Sequence, residues 1–326
     1  MIVTLEAARY ATAQRHRPFV LRRTPSCLIA VQMALRCAPL LLGLALANAQ
    51  DASRLDKRRL DGARFEKKID RWAEWVINYR NAHNCKGQVQ IKDRLSRSLY
   101  HLARAAKGVL EVGAWRGCGS TLILAKGLID QGAGECKLQT LEVDQLRAME
   151  ARRVLTELPV VNVTAAPAAA SYDIYPLAEV KKGALPPGMR DQDRNEYIKW
   201  WHGEYSDAKK LEAAGIQPAI EDLCSRNLID VAFLDGGEFF GLADLHMVLR
   251  HCPQLRYIAL DDTQTFKNHR ALQKLSAFGS GWELCAADTA ERHGWAIVGR
   301  TNSVAGNHGS ACAALTSRKA TCHGSA

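Results

Sequence analysis

Three signatures are missing from this sequence, and each absence removes a class of protein. No two cysteines stand at C-x-x-C spacing, which argues against a structural zinc site. The longest apolar run, Ala38 to Ala47, falls well short of the roughly 20 residues that a membrane-spanning helix needs. No internal repeat is visible, so a solenoid or propeller is not expected. Acidic residues are also scarce at the start, where Glu6 is the single acid in residues 1–50.

That local scarcity explains much of the charge. The formal net charge is +10, but the first fifty residues hold six arginines: Arg9, Arg15, Arg17, Arg22, Arg23 and Arg36. The remaining residues carry 38 bases against 33 acids, spread out except for Lys57-Arg58-Arg59 and Lys67-Lys68. Short basic clusters of this kind suit a solvated helix face. A nucleic-acid partner is not expected.

From Met33 the chain reads as a secretory signal peptide. Arg36 precedes the apolar run, and Ala47 and Ala49 give a small-residue cleavage site before Gln50. Residues 1–32, rich in Arg and Thr, resemble an organelle transit peptide, and Met33 is an alternative start. Segment 1–49 is therefore read as a leader. The expected location is the secretory pathway, with an organelle such as a complex plastid as the alternative. Beyond the leader lie eight cysteines: Cys85, Cys118, Cys136, Cys224, Cys252, Cys285, Cys312 and Cys322. An even count suits an oxidising compartment. Cys312 and Cys322 are the simplest pair to bridge. The sequon Asn162-Val163-Thr164 falls in an expected strand and is discounted as a glycan site.

With 326 residues, 47% of them hydrophobic, the chain can bury one full α/β core and peripheral elements. Residues 50–107 read as helical. Phe65, Ile69, Trp72, Val76 and Tyr79 form one apolar stripe, able to pack on the core or on a second copy. A helix from 91 to 106 follows. Strands are then expected at 109–112, 137–143, 160–164, 229–234 and 257–260, with helices at 120–130, 145–157 and 242–250. Alternation of this kind implies a Rossmann-like, doubly wound, mainly parallel sheet. Segments 283–286 and 295–298 add a C-terminal antiparallel hairpin, making seven strands across residues 108–302. Residues 165–227 interrupt the rhythm and are too long for a bare loop, so a lid or substrate-binding insertion is expected there. Trp200, Trp201 and Tyr205 are its candidate wall. The tail, 303–326, is expected to be disordered.

The chemistry starts at Gly108-Val-Leu-Glu111-Val-Gly113-Ala-Trp-Arg-Gly117-Cys-Gly119-Ser120. Glycines directly after a buried strand allow a sharp turn and close backbone approach to a ligand, and Ser120 can cap the next helix. The spacing G-x-x-x-G-x-G departs from the dinucleotide fingerprint. Glu111, just before the first glycine, would repel a pyrophosphate but suits a cationic aminoacyl group. Glu142 ends the second strand where a ribose diol needs an acceptor.

In these residues the sequence resembles the class I S-adenosylmethionine-dependent methyltransferases over roughly residues 109–300. The resemblance implies S-adenosylmethionine as cofactor, held by Glu111, Gly113, Gly117, Ser120 and Glu142. Two further strands end in acids, at Asp235 and at Asp261-Asp262. Three carboxylates at adjacent strand ends call for a cation, and oxygen-only ligation suits Mg²⁺ or another divalent ion. This looks like the metal-dependent O-methyltransferases of the catechol and macrolide-sugar types. It implies Asp235, Asp261 and Asp262 as metal ligands and a small-molecule or glycan hydroxyl as methyl acceptor. One position departs from the catechol type: Glu238 stands where that type has its lysine base. His202, His246 and His269 are alternative bases, and His269, soon after the Asp pair, is the first choice. A catalytically inactive binding protein of the same fold is the competing reading. The glycine spacing argues against an NAD-dependent oxidoreductase, and no N-P-P-Y-type motif of nucleic-acid methyltransferases is present.

Overall fold

The computed structural model describes residues 70–135 and 137–301, together with Cys312. Contact density divides the chain into Met1–Lys68 and Ile69–Ala326, and the described residues belong to the second unit. The leader, the first part of the expected 51–83 helix (including Phe65 and Ile69) and most of the tail lie outside the described residues. Among the described residues, no helix is long and apolar enough to cross a membrane.

Seven strands form one sheet: β1 (Val109–Val112), β2 (Leu138–Glu142), β3 (Val161–Ala165), β4 (Val231–Leu234), β5 (Tyr257–Asp261), β6 (Trp282–Asp288) and β7 (Trp295–Arg300). Their spatial order is β3-β2-β1-β4-β5-β7-β6. Strands β1 to β5 run parallel, and β7 pairs antiparallel with both β5 and β6. The fold is thus the Rossmann-like, mainly parallel sheet with a C-terminal antiparallel hairpin that the alternation implies. The central strands β1, β4 and β5 are buried on both faces, as near-continuous apolar runs require. Edge strand β3 is only half-buried. The Asn162 amide donates to Gln139 at 2.7 Å there, so the sequon belongs to the sheet.

Helices cover both faces: α1 (Arg71–Ala82), α2 (Arg94–Ala105), α3 (Ser120–Asp130), α4 (Gln145–Val154), α5 (Leu177–Lys182), α6 (Arg194–Ala213), α7 (Ile220–Arg226), α8 (Gly241–His251) and α9 (His269–Ser276). Trp72 and Val76 of α1 are buried, with Trp72 stacked on Tyr100 of α2 at 4.9 Å. The Tyr79 hydroxyl donates to the Val154 carbonyl at 2.7 Å. The apolar stripe therefore packs inward on the same chain where it is described. Helix α2 starts three residues later than the pattern predicts, because the Asp93 carboxylate takes the Gln90 N–H and closes a turn ahead of it.

The interval 165–227 is not a loop: α7 packs with α8 in the main core, and α5 and α6 enclose a small aromatic core. Val180, Tyr197, Trp201, Phe239 and Phe266 are its buried members. Trp201 and Tyr205 stack at 5.0 Å inside this unit, whereas Trp200 faces outward and is 46% exposed. The wall expected from all three residues is therefore mostly core packing.

Three disulfides join described cysteines: Cys85–Cys118, Cys224–Cys252 and Cys285–Cys312. The last corrects the expected Cys312–Cys322 bridge. Cys285 on β6 offers Cys312 a partner at a Cα separation of 4.8 Å, within normal bridging range.

Candidate active site

The strand order reverses direction between β1 and β4, whose helices leave on opposite faces of the sheet. In an open parallel sheet, that switch point opens a crevice at the carboxyl ends of the strands. Val112 is in register with Leu141 on one side and Leu234 on the other. The turn after β1, the end of β2 and the acids after β4 and β5 therefore share one edge of the sheet.

The turn after β1 needs its first glycine. Gly113 has φ +95°, and a Cβ there would lie 2.1 Å from the Asp235 carbonyl oxygen. Its N–H and that of Ala114 both donate to the Leu141 carbonyl, drawing the turn toward β2. Gly117 is also left-handed, with φ +76°. Cys118 follows, and its carbonyl accepts from Arg80 Nε of α1 at 2.7 Å. A Cβ on Gly87 would come within 2.2 Å of that same carbonyl, so the segment carrying Cys85 lies directly against the turn. The Cys85–Cys118 bridge fixes this contact covalently.

Glu111 plays a different part from the one expected. It is fully buried, and its two oxygens accept from Ser120 Oγ at 2.6 Å and Thr140 Oγ1 at 2.7 Å. Burial pushes its carboxyl up to about 7, against the lowering effect of these hydroxyls. Glu111 thus ties β1 to β2 and to the start of α3, shaping the turn from within. Ser120 is likewise not a cap: Gly119 occupies the cap position, and the Ser120 hydroxyl serves Glu111.

Glu142 sits as the sequence requires, at the last position of β2 beside the turn. Its Oε2 accepts from the Trp115 N–H at 2.7 Å and its Oε1 from the Asp144 N–H at 3.0 Å. Each oxygen keeps a second lone pair for a ligand hydroxyl. Trp115, at φ +50° and 36% exposed, carries the Arg147 guanidinium 3.8 Å from its ring centre.

The three aspartates do converge. One carboxylate oxygen from each of Asp235, Asp261 and Asp262 lies within 4.8 Å of the others. Asn268 holds the strand ends together, its amide donating to the carbonyls of Leu234 at 2.9 Å and Asp261 at 2.7 Å. Asp262 has φ +52°, an uncommon conformation for a residue with a side chain and one that concentrates at functional sites.

Two cations, neither of them anticipated from the sequence, occupy this cluster. Lys267 Nζ lies 2.7 Å from Asp235 Oδ1 and 2.7 Å from Asp262 Oδ2. Arg292, from the turn between β6 and β7, pairs with Asp261 Oδ2 at 2.9 Å. Burial, followed by Asp235 and Asp262, raises the Asp261 carboxyl to about 8. The signal was available in the segment Phe266-Lys267-Asn268-His269-Arg270: three buried carboxylates demand a nearby cation, and a lysine stands between the Asp pair and the histidine.

His269 begins α9. Its Nδ1 is 3.3 Å from the Thr263 carbonyl oxygen and its Nε2 is 3.0 Å from Gln273 Nε2. No described hydrogen bond or ion pair joins it to the aspartates. Glu238 is turned toward the backbone N–H of Lys267, and burial raises its carboxyl above the ordinary range. Glu204 of α6 clasps the same loop, accepting from the N–H groups of Glu238 at 2.7 Å and Phe239 at 3.0 Å.

No protein-family model matches the chain, and no curated protein matches it. Among solved structures, cofactor-bound Rv0187 from MTB is 18% identical, covers 75% of this chain and 95% of its own, and has a TM-score of 0.43. The SAH complex of an O-methyltransferase from Bacillus cereus is 16% identical over 74% of this chain and 96% of its own, with a TM-score of 0.40. The O-methyltransferase TomG from Streptomyces achromogenes, involved in tomaymycin synthesis and in complex with SAM, is 15% identical over 73% and 93%, with a TM-score of 0.40. Likenesses this distant carry no argument about activity, which rests on this chain's own residues.

Proposed function

We propose that this chain is an S-adenosylmethionine-dependent methyltransferase acting on a hydroxyl oxygen of a small molecule or glycan. The observation that carries the reading is the Glu142 carboxylate, oriented by two backbone N–H groups beside a glycine turn at the switch point of the sheet. That is where a ribose diol can be received by a bidentate acceptor, while Gly113 and Gly117 let the backbone approach the rest of the cofactor. S-adenosylmethionine supplies the electrophilic methyl group. Glu111 keeps the turn in shape, and α1 with the Cys85–Cys118 bridge holds it from outside. The cluster of Asp235, Asp261 and Asp262 stands across the switch point as the acceptor side, where a carboxylate can receive the hydrogen bond of an incoming hydroxyl. The helical unit of α5 and α6 covers that side and sets acceptor choice.

A divalent ion was the expected companion of the three aspartates. The donor chemistry suits Mg²⁺, and Asp261 Oδ2 and Asp262 Oδ1 are buried without a hydrogen-bond partner. Yet the ion pairs of Lys267 and Arg292 already counter the charge of the cluster, so a divalent ion does not fit beside them as they stand. No step of the reaction is assigned to one. His269 remains a candidate base through rotation about its side chain, and Ala substitution with an intact pH–rate profile removes it from the mechanism.

Residence in the secretory pathway agrees with the leader pattern and with three disulfides, which persist where thiols are kept oxidised. The test of function has two stages. Calorimetry with S-adenosylmethionine is expected to give one site per chain, and absence of binding ends the proposal. Release of S-adenosylhomocysteine on incubation with phenolic and sugar hydroxyl acceptors then separates an enzyme from an inactive binding protein.

A further inference from the structure

We infer that the Lys267 ammonium, with the Arg292 guanidinium beside it, is the resident cation of the acceptor site, and that the site works without a divalent metal. The inference rests on the methyl-transfer reading for its functional meaning, but its structural core is independent of that reading.

The donor set is the one a metal would use: three carboxylate oxygens from two adjacent strand ends, within 4.8 Å of one another. Lys267 Nζ bridges Asp235 Oδ1 and Asp262 Oδ2 at equal distances of 2.7 Å, and its side chain is only 12% exposed. Fully buried Asp261 forms an ion pair with Arg292 at 2.9 Å through Oδ2, an oxygen that no hydrogen bond satisfies. Two unit charges from the protein thus supply what one divalent ion would bring. A metal added to this arrangement would sit beside an ammonium and a guanidinium, in a partly dehydrated site where like charges repel strongly.

The position of the ammonium is built into the backbone. Phe266 on one side is buried in the aromatic core of the helical unit. Asn268 on the other is fully buried and clasps the carbonyls of Leu234 and Asp261. The Lys267 N–H donates to Glu238 Oε1 at 3.3 Å. With both neighbours pinned, the Lys267 side chain leaves the chain at a fixed point and reaches the carboxylates at the end of a short, covered path. The result is a site that presents a hydrogen-bonding monovalent cation to the acceptor, where a metal would offer open coordination positions.

Manganese is the probe, read by electron paramagnetic resonance on the full chain after chelator treatment. The wild-type protein is expected to take up no Mn²⁺ at the aspartates at sub-millimolar concentration. Lys267→Met, close in volume and uncharged, is expected to gain one bound ion and lose it again when Asp261→Asn is added. Uptake of one Mn²⁺ by the wild type, abolished by Asp261→Asn, overturns the inference. So does a folded Lys267→Met protein that gains no metal. The wild-type measurement decides even where the variants fail to fold. Turnover is expected to be unchanged in excess EDTA, and its loss in EDTA with recovery on Mg²⁺ also overturns the inference. Failure of methyl transfer altogether, with the Mn²⁺ results as expected, counts against the proposed function and leaves the cation assignment standing.

Discussion

The backbone N–H of Trp115 donates to the Glu142 carboxylate at 2.7 Å, joining the glycine turn after β1 to the end of the second strand. The group expected to receive the ribose is therefore also a brace for the turn. Glu142→Gln keeps the shape but gives up the charge and one acceptor. Hydrogen bonds to charged groups contribute about 1.5–3 kcal/mol. Calorimetry should show the S-adenosylmethionine dissociation constant rising about tenfold or more, and the melting temperature should fall as well, because one of the two backbone N–H groups loses its acceptor. An unchanged affinity removes Glu142 from the cofactor site.

Gly113→Ala tests the turn itself. The added methyl would collide with the Asp235 carbonyl in a left-handed backbone conformation. Strain of this kind costs roughly 1–3 kcal/mol before any shift of the strand end. The variant should melt lower and bind cofactor far more weakly. A variant that binds normally would show that the turn does not touch the ligand.

Reduction should act at a distance through Cys85–Cys118. A bridge between residues 33 apart stabilises by ~2–4 kcal/mol in the usual range. Cys85→Ser is expected to lower the melting temperature and to weaken cofactor binding several-fold, because Cys118 lies inside the turn. The parallel variant Cys224→Ser, whose bridge joins α7 to the end of α8, should lower stability without that loss of affinity.

Stability should decline with rising pH through buried carboxyls. Asp244 is 2% exposed, and burial raises its carboxyl to about 8 from an ordinary 3.8, with Glu204 adding to the rise. A folded-state value above the unfolded one means that the native protein holds the extra proton. The contribution is complete below about pH 4 and is lost as pH climbs toward 8. Melting temperature is expected to fall between pH 5 and pH 8, by ~2–4 °C for each kcal/mol. Asp244→Asn should flatten that profile. A wild-type profile that is level or rises over this range refutes the assignment.

Much of this architecture can be read from spacing alone. Runs such as Val231–Leu234 and residues 258–260 are apolar at consecutive positions because both faces are covered, and that pattern survives in one dimension. The acids at their ends are legible for a related reason: a carboxylate closing a buried strand is costly to desolvate unless a partner waits for its charge. What escapes is whatever depends on two segments meeting. Arg292 gives no sign in its own neighbourhood that it will reach Asp261, and Cys312 gives none that Cys285 will be its partner. Glu111 stands out in the sequence but its partners do not, since the hydroxyls of Ser120 and Thr140 come from different elements. Lys267 is easily passed over, because histidine is the customary proton carrier and a lysine in a helix-leading segment reads as surface.

Arg292 also bears on how the molecule comes into being. The first two acids of the cluster belong to parallel strands that can pair once residue 261 has emerged, while their second counter-charge lies thirty-one residues further along the chain. Domains synthesised from the N-terminus pass through partly assembled states, and here such a state carries a concentrated negative spot at the open edge of β5. Pairing of β7 with β5 closes that edge and delivers the guanidinium in the same movement. Strands β6 and β7 therefore complete both the described sheet and the charge balance at Asp261, so a chain cut short before the hairpin keeps the glycine turn after β1 yet lacks the guanidinium that pairs with Asp261.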